Sequence, residues 1–153
     1  MYFWDTDRLA ALLAKEELGQ GQKIRYYIAC FYLQTASTVL PMYLFGLSYS
    51  LDVITLASYV ASLVVFHLGA LKVYKACAHY QKAGVLDTVI VLSLPVCIKV
   101  HSVYWLVYAV VVYALTAAEA NWYLWVIYSF SAMPIMVWFQ FNLIRNAVVR
   151  NYG

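Results

Sequence analysis

The stretch WYLWVIYSFSAMPIMVWFQFNLI, Trp122–Ile144, carries no charged residue and ends directly against Arg145. A helix rises 1.5 Å per residue, so about 20 apolar residues cross a hydrocarbon core roughly 30 Å thick. This segment is long enough. Pro134 lies inside it, which a membrane helix tolerates when neighbouring groups satisfy the freed backbone carbonyl. Trp122–Ile144 reads as a transmembrane helix, and the rest of the chain is best read outward from it.

The composition agrees with a chain that faces lipid. Of its 153 residues 65% are hydrophobic and 11% charged, against about 45–50% and 25% in soluble domains. A domain this small must leave a large share of its residues outside its core, so that much apolar surface needs an apolar solvent. Fifteen Tyr and five Trp suit the interfacial belts of a bilayer. The first 25 residues are mixed and charged, which is not the pattern of a cleavable secretory signal. A net charge of +3 is too small to argue for nucleic acid. Cys30, Cys77 and Cys97 form no C-x-x-C pair, which speaks against a disulfide framework and against paired-thiol redox chemistry.

Three further spans are expected. Tyr26 to Ser48 is the first, with Pro41 inside it, and a tight turn at Ser50-Leu51-Asp52 follows. Val53 to Leu71 is the second, its helix continuing through Lys72, Lys75 and His79 until Gly84 and Asp87 interrupt it. Thr88 to Ala118 is ambiguous. Pro95 removes a backbone donor and disfavours a helical Leu94, and Lys99 at mid-bilayer would cost roughly 2.5–3.5 kcal/mol. A sharp bend between Leu94 and His101 is therefore expected, with Thr88 to Ile98 at the cytoplasmic interface or re-entrant and His101 to Ala118 as the third span. Before these, Asp5 to Leu18 reads as an amphipathic surface helix: Asp5, Thr6 and Asp7 offer cap oxygens, and Leu9, Leu12 and Leu13 share a face.

The basic residues set the orientation. Arg8, Lys15, Lys23 and Arg25 precede the first span, Lys72, Lys75, Lys82 and Lys99 lie between the second and third, and Arg145 and Arg150 follow the fourth. The connections Tyr49–Asp52 and Glu119–Asn121 contain neither Lys nor Arg. Four spans put every basic residue on one side, as the positive-inside rule requires, whereas five would strand Arg145 and Arg150 outside. The expected fold is all-α: one polytopic membrane domain over residues 1–153, with spans at about 26–48, 53–71, 101–118 and 122–144. Short connections favour antiparallel neighbours in an up-down bundle. Both termini are expected in the cytoplasm, the membrane being a bacterial inner membrane.

Candidate sites are few. His67 and His101 fall near one depth on two helices and could ligate haem b or a metal, yet His67 lies on the face opposite Thr55, Ser58, Ser62 and Gly69. An interfacial histidine reaching for water is the plainer reading. Cys77, His79, Cys97 and His101 are a weaker metal set, because one residue between Cys77 and His79 is fewer than zinc pairs use. Polar stripes run along the spans: Gln34, Ser37, Thr38 and Pro41; Thr55, Ser58, Ser62 and Gly69; Ser129, Met133, Met136 and Gln140. Such stripes either line a solute path or pack helices closely, and small residues at four-residue spacing favour packing. No acidic or basic residue sits at mid-span, as ion-coupled transport usually needs, and no P-loop, zincin or nucleophile-elbow motif occurs.

These features lead to a non-catalytic accessory or scaffold subunit, with no cofactor. Its expected partners are the lipid bilayer and either further copies of itself or other subunits of a membrane complex. A small channel, transporter or membrane-acting immunity-type protein is the first alternative, and a haem- or metal-binding redox protein using His67 and His101 the second.

Overall fold

A computed structural model describes residues 2–45, 53–80 and 84–153, with the side chains of 37–45 left outside the description. The described residues form five helices and no strand: α1 (Thr6–Ala14), α2 (Gln20–Phe45), α3 (Val53–Tyr80), α4 (Val85–Ala117) and α5 (Trp122–Tyr152). Of these α3, α4 and α5 are long and apolar enough to cross a membrane. The turn expected at Ser50–Asp52 lies outside the described residues.

Helix ends follow local chemistry. The Asp5 carboxylate accepts from the Arg8 backbone N–H at 2.9 Å and opens α1, and Asn121 caps α5. α1 and α4 close the same way. After α1 the Glu16 N–H donates to the Leu13 carbonyl and Glu17 to Leu12; after α4 Glu119 donates to Thr116 and Ala120 to Leu115. Both sets are the paired bonds of a Schellman turn, which satisfy the last carbonyls of a helix. Glu16 (φ 56°) and Glu119 (φ 47°) occupy the left-handed position there, where glycine is usual.

The expected break at Pro95 is absent. Val85–Ala117 is one continuous helix with Pro95 inside it, so Thr88 to Ile98 is not a segment separate from the helix that follows it. The reason is tertiary: Val91, Leu92, Leu94, Pro95, Val96 and Cys97 are all buried, and packing on every side outweighs the loss of one helical hydrogen bond. Lys99, half-buried on the same helix, has a partner, since its Nζ donates to Thr6 Oγ1 of α1 at 2.9 Å. Long helical side chains point back toward their helix N-terminus, which carries this ammonium toward the end where α1 lies.

The packing order also differs from the up-down arrangement of sequence neighbours. The closest pairs skip one helix. α3 lies along α5 in parallel, with Ser58 meeting Phe130, Gly69 meeting Phe141 and Tyr80 meeting Gly153. α2 lies along α4 in parallel, with Lys23 paired to Asp87 and Cys30 touching Cys97. α4 and α5 run antiparallel between these pairs, Tyr152 meeting Thr88 and Tyr128 meeting Tyr108. Among the described residues α2 and α3 do not pack on each other. The layer order is α2, α4, α5, α3. Loop length limits which helices are joined, but it does not choose which faces fit.

The fit of α3 on α5 is visible atom by atom. Ser58 donates to the Phe130 carbonyl at 3.1 Å and Ser62 to Ser58 of its own helix at 2.8 Å. At Gly69 an added Cβ would stand 2.5 Å from Phe141 Cγ, and the Phe141 ring packs edge-on to Phe66 at 5.0 Å. The stripe Ser58, Ser62, Gly69 is a packing surface.

Burial is uneven along the layer. The core gathers at the end that holds α1: Leu9, Ala10 and Leu13 of α1 belong to one buried cluster with Val73 and Cys77 of α3, Val91 to Val100 of α4, and Ile144 to Tyr152 of α5. At the far end Val53, Leu106, Tyr113, Trp122 and Ile127 are exposed.

Gly69 generates a direct test. Gly69→Ala should destabilise the chain by about 1–3 kcal/mol through overpacking, read by unfolding in mild detergent. Combining it with Phe141→Ala should cost less than the two single changes added together. Simple additivity would show that α3 does not seat on α5 at this point.

Candidate functional site: thiols and amides shared by three helices

Cys97 is the meeting point of three helices. Its Sγ lies 3.8 Å from Cys30 Sγ and 3.8 Å from Gln34 Nε2, both on α2, and 3.7 Å from Gln140 Nε2 on α5. Both thiols are buried. The parallel run of α2 beside α4, aligned below by Lys23 and Asp87, brings Cys30 level with Cys97. Gln140 arrives from the other side, because α5 runs antiparallel to α4.

The chemistry of this cluster is limited and definite. The sulfurs are in van der Waals contact, well beyond the 2.03–2.05 Å of a disulfide, and Cys30, Cys77 and Cys97 are all free thiols. The amide N–H groups of Gln34 and Gln140 donate weakly to sulfur, as thiols accept weakly. The cluster contains no carboxylate or lysine, so it offers no strong acid–base pair. Its clear effect is cohesion: polar groups that lipid could not satisfy meet one another and bind α2, α4 and α5 together.

The residues singled out in the sequence fall as follows. His101 is half-buried one turn beyond Cys97, and its Nδ1 lies 2.8 Å from the Cys97 carbonyl. His67 is exposed on α3, away from the face that packs on α5. Nothing in the packing of the described residues draws the two imidazoles together. The set Cys77, His79, Cys97, His101 is not assembled either. Cys77 is buried against Thr88, nine residues and so roughly 13 Å along α4 from Cys97, while His79 is exposed and packs edge-on to Tyr80 at 4.8 Å. No group of three or more His, Cys, Asp or Glu side chains that could hold a metal occurs among the described residues. Ser129 contributes a backbone carbonyl, 3.5 Å from Ser58 Oγ, and its side chain is exposed. Ser37 and Thr38 lie outside the described side chains.

The Cys30–Cys97 contact was not legible from spacing, because the two thiols are distant in sequence and no local motif announces them. The one available signal is positional: each sits on the early part of a helix entered from the same side. No protein-family model matches this chain, and no curated protein or solved structure matches it either.

A thiol count tests the cluster. Mild oxidation of the native protein should join Cys30 to Cys97, leaving Cys77 as the thiol that alkylates after denaturation, and Cys97→Ser should abolish the bridge. Three alkylated thiols after oxidation would show that α2 and α4 are not packed in this register.

Proposed function

We propose that this chain is a non-catalytic membrane subunit that holds other membrane-embedded chains against its apolar half. In this reading α2 is a fourth span beside α3, α4 and α5, α1 lies against their cytoplasmic ends, and both termini are cytoplasmic. The continuous α4 is about 50 Å long, more than a hydrocarbon core requires, so its first turns belong to the cytoplasmic end where α1 and Lys99 meet.

The observation that carries the proposal is the division of the layer. One end has a core tied by hydrogen bonds, and the other leaves whole helix faces unpacked within the chain. On α4, Val103, Leu106, Val110 and Tyr113 are 61–76% exposed and recur at spacings of three and four residues, so they share one face. Such a face accepts either lipid tails or a partner helix, and only a partner helix needs a particular shape.

The polar stripes support this reading over a solute path. Ser58 and Ser62 donate to backbone carbonyls inside the helix layer, and Gln34 and Gln140 converge on a single thiol.

Two measurements test the proposal. In a background without native cysteines, a cysteine at Asn121 should label from outside intact cells and one at Lys82 only after permeabilisation; labelling of Lys82 from outside contradicts the topology. Leu106→Trp with Val110→Trp should break copurification with partner chains from gently solubilised membranes, while the Cys30–Cys97 bridge still forms on oxidation. A wild-type chain that migrates as a lone monomer from native membranes contradicts the subunit role.

A further inference from the structure

The C-terminal ends of α3 and α5 run side by side and enclose an open groove of ≈ 680 Å³, its lining including Lys72, Lys75, Tyr80, Asn142 and Arg145. Three fixed cations meet there without an anion. Among the described residues no salt bridge reaches any of them, and the carboxylates are occupied or elsewhere. Asp7 faces Arg150, Asp87 faces Lys23, and Asp5 caps α1. Glu16 and Glu17 follow α1, which packs on α4 and α5 rather than α3. Glu119 follows α4 and belongs to the opposite helix ends.

Helix dipoles do not account for this gathering of charge. A dipole stabilises a cation only within the last turn, and Lys72 and Arg145 each lie about two turns before the ends of their helices at Tyr80 and Tyr152. Like charges drawn together in this way repel unless a counter-ion joins them. The donors are also of mixed shape: a guanidinium fork, two ammonium groups, a side-chain amide and a phenol. A carboxylate has two oxygens to offer such a set, whereas a phosphate group has more oxygens and pairs well with Arg and Lys. Beside the groove Leu68 and Leu71 of α3 are exposed, giving an apolar track that acyl chains could follow.

We propose that this groove binds a phosphate-bearing anion through Lys72, Lys75 and Arg145, with Asn142 and Tyr80 as further donors. The anion is either the headgroup of an anionic phospholipid or a soluble phosphate; the lipid source rests on the membrane reading above, and the soluble one does not.

The test has two arms on the purified full-length chain. In the first, native mass spectrometry measures retention of phosphatidylglycerol against phosphatidylcholine; in the second, inorganic pyrophosphate is titrated in neutral detergent without lipid. Each basic residue near an anionic surface contributes roughly fivefold in affinity, so Lys72→Gln/Lys75→Gln/Arg145→Gln should weaken binding about a hundredfold. Lys72→Arg/Lys75→Arg should retain it, and formation of the Cys30–Cys97 bridge reports that each variant is folded. Selective retention of phosphatidylglycerol alone assigns the lipid source, and pyrophosphate binding that displaces it assigns the shared phosphate chemistry. Binding in neither arm, or equal binding by the wild type and the folded triple variant, overturns the proposal. Failure of the membrane reading is separate: it would appear as release of the chain from membranes by alkaline carbonate, with the pyrophosphate arm unaffected.

Discussion

Inside hydrocarbon, apolar side chains gain little by leaving lipid for one another. Helices there stay together only where backbones approach closely or polar groups meet. That constraint explains where this chain is tight and where it is open. α3 meets α5 along Ser58, Ser62 and Gly69, the places where a small side chain lets the neighbour in. α2 and α5 each meet α4 at a cluster of two thiols and two amides centred on Cys97. Between such points the faces are covered with Val, Leu and aromatic residues and stay unpacked.

The end that holds α1 is held differently, by a core of buried apolar side chains. Leu9, Ala10 and Leu13 turn inward and close over the ends of α4 and α5. Polar contacts then tie the short helix down. Lys99 reaches Thr6 at 2.9 Å, Asp7 meets Arg150 and Asn151, and the Tyr2 backbone N–H donates to Tyr26 Oη at 2.7 Å. The Asp7–Arg150 pair is exposed and contributes little by itself, as surface pairs do; burial of the leucines supplies the larger share. Further in, Thr88 gives its proton to the Gly84 carbonyl and accepts one from Tyr152, so a hydroxyl pair is satisfied within the core.

Much of this was legible in the residues because the governing signals are local. Hydropathy and length marked α3 and α5, Asp5 marked the start of α1, and the small residues of α3 marked its packing face, with His67 on the opposite side. The failures share one cause. Pro95 is a strong local signal for a break, yet contacts from residues far away in sequence surround it. Short connections say which helices are consecutive, but the parallel α2–α4 and α3–α5 pairs depend on matching surfaces. The Cys30–Cys97 contact follows from that same pairing and so left no motif to read.

The central claim is that the layer is closed at one end and open at the other, and nitroxide accessibility along α5 tests it most directly. Spin labels placed singly from Leu124 to Val148 in lipid bilayers would be exposed in turn to oxygen, which partitions into lipid, and to a water-soluble nickel chelate. The account predicts high oxygen collision rates at Leu124, Ile127 and Ile135, and low rates with both reagents at Ala147 and Val148. Nickel contact at Leu124 to Ile135, or uniform accessibility along the helix, would contradict it.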